Sequence, residues 1–408
     1  MLSGEVRKAF FDGTHRLVSP QETLESIRRF FPVMGITRVA DVTGLDRVGI
    51  PVVIVCRPNS RSLAVSQGKA LDRHAAMASG VMESVESFMA ERIVAPLVLG
   101  SFNDLRFTHE LVDVEGLPRL TTSLYRDDLP ILWIEGQELN TGGSRWVPYE
   151  MVHTAYTFPT PSGTGCFVGT SNGLASGNHL LEATSHAICE TIERDATTLH
   201  SMRSADELVA RRIDPTTVDD ELCQEAIARI ADAGLSIGLW NTTTDVEIAS
   251  FKCMIIEGDG GPLHATFASE GMGCHPDRGI ALLRAITEAA QSRLTYIAGS
   301  RDDITRRDYA LAADSELVDR QRASLRTDTP ARFGDVPTYY GESFDDDVAW
   351  ELDRLRRAGL AAVIRVDLTR EEFGVPVVRV IVPGLEGPTE KIKSCRLGPR
   401  AHRVGLGQ

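Results

Sequence analysis

Ser171-Asn-Gly-Leu-Ala-Ser-Gly-Asn178-His-Leu-Leu-Glu182-Ala-Thr-Ser-His186-Ala-Ile-Cys-Glu190-Thr-Ile-Glu193-Arg194-Asp195 is the stretch on which the reading of this chain turns. Its first half closes a Gly/Ser-rich loop, 161–177, and its second half opens a helix expected near 178–201. Such a loop offers backbone N–H groups and a helix N-terminus to an anion, although alone it is only a turn. Within the helix, Glu182, His186, Glu190 and Glu193 recur at spacings of three and four and so share one face.

The pattern echoes twice. A helix expected near 72–95 carries Ser79-Gly-Val-Met-Glu83-Ser-Val-Glu86-Ser, and one near 277–298 carries Arg284-Ala-Ile-Thr-Glu288-Ala-Ala-Gln291-Ser. An exposed glutamate stripe normally alternates with Lys or Arg, whereas the neighbours here are largely Ala, Ser, Thr, Ile, Val and Met, which suit a packed surface. Carboxylates converging in a partly buried space need neutralisation, and hard oxygen ligands of this type favour Mg²⁺, which would bridge to a phosphate. Two other readings use the same residues. One is a solvated stripe; the other is a di-iron bundle, which wants Glu-x-x-His pairs that are absent here, since His186 follows Glu182 by four. Ser66-Gln-Gly-Lys69, before the first of these helices, offers a hydroxyl, a flexible backbone and a cation, but lacks the Gly and Ser/Thr of a P-loop. His153, His179, His200 and His275 have no partners at metal or triad spacing and read as structural.

Around this centre, a helix after Ser19 runs through Ile27 and Phe31 and is followed by an apolar run, 51–56. Strands are expected near 130–136, 146–157, 236–240, 248–256, 263–267, 362–366 and 375–382, with helices near 216–233 and 344–358. A Gly-containing loop is expected at 270–276 and a flexible excursion at 300–335. The 408 residues carry a formal charge of −14, which argues against broad binding to nucleic acid or an anionic membrane. No apolar run approaches the roughly 20 residues of a membrane span. The N-terminus lacks the apolar core of a secretory signal, and the seven cysteines show no C-x-x-C pair, so a cytoplasmic protein with reduced, mostly buried thiols is expected.

Taken in order, Ser66-Gln-Gly-Lys69, Ser79-x-x-x-Glu83-x-x-Glu86, the 171–182 loop, Glu190-x-x-Glu193-Arg194-Asp195 and Arg284-Ala-Ile-Thr-Glu288-Ala-Ala-Gln291-Ser-Arg293 closely resemble the YcaO family over roughly residues 60–388. The resemblance ends with Pro376-Val-Val-Arg-Val-Ile-Val-Pro-Gly-Leu385-Glu386. Gly13-Thr-His-Arg16 and the run 35–51 look like the N-terminal part of members that act beside a TfuA partner. The resemblance implies an α+β, YcaO-type ATP-binding fold, with mixed or antiparallel sheets packed against helices that carry the acidic motifs. It divides the chain into an N-terminal segment, 1–58, a catalytic domain, 59–388, and a tail, 389–408, without a Pro-x-Pro-x-Pro end. The cofactors implied are ATP and Mg²⁺. By motif position, Glu83, Glu86, Glu190 and Glu193 would hold the metal, and Lys69, Ser79, Asn178, Arg194, Arg284, Glu288 and Gln291 would contact nucleotide. Glu182, Glu190, Glu193 and Arg194 would be catalytic. Ser87 stands where the family often has Arg, so that charge must come from elsewhere, with Arg92 as the candidate.

The activity the resemblance implies is ATP-dependent activation of a peptide backbone amide. A nucleophile adds to the carbonyl, the oxygen takes the γ-phosphoryl group, and phosphate departs. Sulfide would give a thioamide, a Cys, Ser or Thr side chain an azoline, and an amine an amidine. The tail and the TfuA-type N-terminus point to thioamidation in ribosomal peptide modification. An azoline-forming cyclodehydratase and a non-catalytic accessory scaffold remain the alternatives. An unrelated metal-carboxylate hydrolase is a third reading, which predicts activity without nucleotide. The partners implied are a precursor peptide or protein, a TfuA-like protein, a separate leader-binding protein and, by family analogy, a second copy of the chain.

Overall fold

A computed structural model describes residues 4–257, 267–387 and 395–405. Along the chain lie strands β1 (Arg38–Asp41), β2 (Val52–Cys56), β3 (Val65–Lys69), β4 (Leu97–Gly100), β5 (Ile131–Glu138), β6 (Ser144–Pro148) and β7 (Leu174–Ser176), then β8 (Arg212–Ile213), β9 (Leu235–Asn241), β10 (Ser250–Glu257), β11 (Ser269–Cys274), β12 (Ile364–Asp367) and β13 (Val377–Ile381). They form a sheet β1-β2-β3, a sheet β11-β10-β9-β8, and a larger sheet β4-β5-β12-β13-β7 with β6 beside β5. Every ladder between these strands is antiparallel, and with the helices between the sheets the fold is α+β.

Three long helices carry the repeated motifs, Arg73–Ala90, Leu180–Ser201 and Arg278–Ala298, within a few residues of the expected bounds. Each begins at a side-chain cap. Asp72 accepts from the N–H of Ala75 at 2.8 Å, His179 from Leu181 at 3.2 Å and Asp277 from Gly279 at 2.8 Å. The first helix stops sooner than the apolar pattern suggests because Glu91 turns inward, its carboxylate taking two hydrogen bonds from Arg57 and holding Ser60 and Ser62. The third ends at Gly299 in the left-handed region, φ 58°.

The helices lie directly on backbone. A Cβ on Gly68 would sit 2.0 Å from the carbonyl oxygen of Ala76, and one on Gly271 would sit 2.2 Å from the amide nitrogen of Ala289. Only glycine permits that approach, so β3 presses on the first acidic helix and β11 on the third. One core lies between the first acidic helix and the inner faces of β5, β12 and β13. A second joins β9 and β10 to the third acidic helix, and a third packs the second acidic helix on Val378 and Val380 of β13.

Several expectations change. Ser66-Gln-Gly-Lys69 is strand rather than flexible loop, and 270–276 is mostly β11, because glycines that suggest a turn here serve close packing. The expected excursion at 300–335 contains helices Arg306–Ala312 and Ser315–Ser324, each closed at its start by a side-chain cap. The strand expected through 146–157 stops at Pro148. The strand expected at 263–267 lies outside the described residues except Phe267, as does the 388/389 boundary. The β2–β3 ladder crosses position 58.

Described segments near both termini are fastened to the centre. Lys8 Nζ lies 2.7 Å from Asp347, both side chains almost fully buried, and the amide of Leu17 donates to Glu182. Arg400 grips Asp195 of the second acidic helix through Nε at 3.0 Å and Nη2 at 2.9 Å. None of the helices among the described residues is long and apolar enough to cross a membrane.

Candidate functional site

Several of the side chains named by the repeated motifs are brought together across the three acidic helices and the strands beside them. Lys69, at the end of β3, reaches the third helix, with Nζ 2.9 Å from Glu288 Oε2. Ser176, at the end of β7, gives Glu86 Oε1 two hydrogen bonds, from its amide at 2.9 Å and its hydroxyl at 2.7 Å. Glu193 lies 3.4 Å from Arg194, and its Oε2 is buried without a hydrogen-bond partner. Arg284 turns Nη1 towards His186 Nδ1 at 3.5 Å, and its Nε is buried and unpartnered. Gln291 is buried one turn beyond Glu288, whereas Ser79 is exposed on the first helix.

Glu182 and Asn178 are engaged differently. Glu182 accepts from Leu17 at 3.0 Å, faces Arg16 Nε at 3.7 Å and lies 3.4 Å from Asn178 Nδ2, while Asn178 Oδ1 accepts from Thr23 at 3.1 Å. The N-terminal segment therefore reaches the start of the second acidic helix and brings Arg16 with it.

The electrostatics are those of a site built for something absent from the bare chain. Burial pushes the carboxyl of Glu86 up to about 8, with Glu83 and Glu190 raising it and Ser176 opposing. Burial likewise carries Glu190 to about 7, against the pull of Arg194, Arg379 and Arg284. Glu83, although exposed on the first acidic helix, is raised as well, chiefly by desolvation, with Lys69 and Arg301 restraining it. His186 is driven well below its ordinary value by burial and by Arg284, Arg16, His275 and Lys69, so it is neutral here. Carboxyls that hold their protons call for more positive charge, and guanidinium N–H groups without acceptors call for an anion.

A magnesium–phosphate unit answers both. Among the described residues no three acidic, His or Cys side chains stand close enough to hold a bare cation. The donor set fits Mg²⁺ of the kind that takes one or two carboxylates and completes its shell with water and phosphate oxygens. The charge that Ser87 does not supply is present on Arg16, Arg301 and Arg379. None of these three was among the residues expected at the site. Arg379 had a signal, as the one charge in the apolar run 375–382, and so had Arg16, in the Gly13-Thr-His-Arg16 motif. Arg301 had none, since it opens a polar segment.

Comparison with known proteins is in keeping with this geometry. The profile of a family described as YcaO cyclodehydratase, ATP- and Mg²⁺-binding, matches residues 67–386. A Rhizobium leguminosarum bv. trifolii protein described as an uncharacterized protein in the tfuA 3' region is 36% identical over 395 residues, covering 94% of this chain and 92% of its own. An uncharacterized protein of Methanothermobacter thermautotrophicus is 35% identical over 382 residues, covering 90% and 94%. Among solved structures, YcaO from Methanopyrus kandleri bound with AMPPCP and Mg²⁺ superposes with a TM-score of 0.73 at 22% identity, over 96% of this chain and 98% of that one. A heterocyclase in complex with substrate and cofactor gives 0.76 at 21% identity, over 95% of this chain, which spans only 54% of that larger protein.

Proposed function

The chain belongs to the YcaO family of ATP- and Mg²⁺-binding, peptide-modifying enzymes, and from that premise we propose that it activates a backbone amide with ATP to form a thioamide, beside a TfuA-like partner. The observation that carries the reading is the coincidence, in one site, of carboxyls with raised pKa values and arginine N–H groups without acceptors.

In this reading Glu83, Glu86, Glu190 and Glu193 hold Mg²⁺, directly or through water. Held there, such an ion would supply charge neutralisation for the phosphates and polarisation of the γ-phosphoryl group. Lys69, Arg194 and Arg284 face the phosphates, and Ser79, Asn178, Glu288 and Gln291 line the nucleotide. Glu182 orders the N-terminal segment and Asn178 against that site, which makes it a positioning residue. An amide is inert because resonance weakens its carbonyl as an electrophile and leaves oxygen a poor leaving group. Transfer of the phosphoryl group to that oxygen removes the second obstacle, and the protein supplies alignment and charge.

Thioamide over azoline rests on the likeness to a protein encoded beside tfuA and on the N-terminal segment that docks on Glu182. A precursor peptide would then arrive through a separate leader-binding protein. Titration calorimetry with AMPPCP, with and without Mg²⁺, on wild type and Glu190→Gln tests the site: binding that needs Mg²⁺ and is weakened by the substitution is expected. Absence of binding under every condition would favour an accessory scaffold. A modified peptide heavier by the difference between sulfur and oxygen identifies thioamidation, whereas one lighter by a water identifies an azoline.

A further inference from the structure

Three cations act on His186 from three directions: Lys69 from β3, Arg16 from the N-terminal segment and Arg284 from the third acidic helix. Two of them are matched by carboxylates. Lys69 lies 2.9 Å from Glu288, and Arg16 lies 3.7 Å from Glu182. Arg284 has no such partner among the described residues. Its Nη1 turns to His186 Nδ1 at 3.5 Å, and its buried Nε is left without an acceptor. Arg16 and Arg284 oppose each other as like charges, and Arg284 attracts Glu190 through space. Something must therefore hold the guanidinium where it stands.

The root of the side chain is fixed by packing. A Cβ on Gly273 of β11 would come within 2.9 Å of the Cβ of Arg284, so strand and side chain already meet there. The tip is fixed by His186, which lies one turn after Glu182 and one turn before Glu190 on the acidic stripe. An imidazole suits this post better than a charged group. A carboxylate would pair with Arg284 outright and cancel its charge, as Glu288 does for Lys69, and a protonated imidazole would repel it. Burial among Arg284, Arg16, His275 and Lys69 keeps the ring neutral. Its Nδ1 lone pair can then orient the guanidinium and leave the positive charge intact.

We propose that His186 is a positioning residue, whose Nδ1 holds Arg284 with its charge uncancelled and its remaining N–H groups available to the phosphates. The assignment rests on the reading of Arg284 as a phosphate contact and adds to it the residue that prepares that contact. It also gives a reason for a histidine in the middle of a glutamate stripe, where it is neither a metal ligand nor a proton carrier.

The test joins nitrogen NMR to calorimetry on the full-length protein. In nucleotide-free protein with isotope-labelled histidine, His186→Asn identifies the His186 signals by their loss. Nδ1 is expected to be bare and Nε2 to carry the hydrogen, and Arg284→Met should shift the Nδ1 signal. A proton on Nδ1, or no response to Arg284→Met, would overturn the contact whatever the nucleotide does. For Mg·AMPPCP, His186→Leu should weaken binding about tenfold, the loss of a hydrogen bond to a charged group. His186→Asn, whose Oδ1 can stand where Nδ1 stood, should recover most of that affinity. In an Arg284→Met background His186→Leu should cost little more, because the residue it positions is gone. Equal losses in the two backgrounds would overturn the proposal. Tighter binding in His186→Leu would overturn it too, and would make His186 a competitor of the phosphates for Arg284. Failure of the wild type to bind Mg·AMPPCP would strike the proposed function and with it the phosphate half of this one, while the NMR decides the pair on its own.

Discussion

Lys69 and Glu288 stand 2.9 Å apart, and their ion pair joins the last residue of β3 to the third acidic helix. Before any nucleotide arrives, the lysine assigned to the phosphates is already paired with a carboxylate from the repeated motif. Lys69 also restrains the raised pKa of Glu83. One amine therefore serves two carboxylates on different helices.

Replacing Lys69 with Met should destabilise the free protein by about 1–3 kcal/mol, because it removes the cation beside a mostly buried carboxylate. It should also weaken Mg·AMPPCP. Adding Glu288→Gln should restore the melting temperature and leave nucleotide binding impaired. Melting curves and calorimetry on the two variants separate the structural share of the pair from its share in binding. Equal recovery of both properties would count against Lys69 as a phosphate ligand.

The pKa of Glu190, raised to about 7, has a stability consequence of definite sign. Between the ordinary carboxylate range and about pH 7 the folded protein keeps a proton that the unfolded chain has released, so this group's contribution falls as pH rises through that window. Glu190→Gln has no such proton. The variant should melt close to wild type at pH 5 and a few degrees above it at pH 8, and saturating Mg·AMPPCP should reverse the order. Parallel melting curves for the two proteins across this range would refute the assignment.

Gly68→Ala should lower the melting temperature substantially, since the new Cβ would press on the carbonyl of Ala76 and on Gly80, backbone that cannot turn aside. Overpacking of this kind typically costs about 1–3 kcal/mol. Because Lys69 is the next residue, nucleotide affinity should fall in the same variant. Gly44→Ala, where an added Cβ would meet nothing within 4 Å and the backbone is not left-handed, serves as a control for glycine loss without a clash.

Arg400→Met should be among the most damaging single changes in the C-terminal segment. It leaves Asp195, fully buried on the second acidic helix, without the guanidinium that grips both its oxygens. Breaking a buried pair from one side costs roughly 3–5 kcal/mol. Asp195→Asn together with Arg400→Met should recover much of it, measured by denaturant unfolding.

The acidic helices were legible because spacing of three and four survives any context, and because small apolar residues between carboxylates signal packing. The strands that carry the site were less so. Ser66-Gln-Gly-Lys69 and Ser269–Cys274 hold glycines that match loop chemistry, and their reason for being glycine is a helix arriving from elsewhere. The helices within 300–335 were concealed by polarity, although Thr305 with Asp308 three residues on is a capping signal. At the site, the motif residues were readable but Arg16, Arg301 and Arg379 enter through long-range contacts. Only the apolar company of Arg379 hinted that its charge is buried for a purpose.

The pairing of Lys8 with Asp347 bears on the order in which the molecule is made. The two residues are 339 positions apart, so the contact forms only after most of the polypeptide has left the ribosome. Until then the first residues have no anchor on the helix Phe344–Arg357, and Arg16 and Leu17 are tethered to the centre from one side alone. The segment synthesised first thus waits on residues made late, as do the first and second acidic helices, whose cores include residues of β12 and β13.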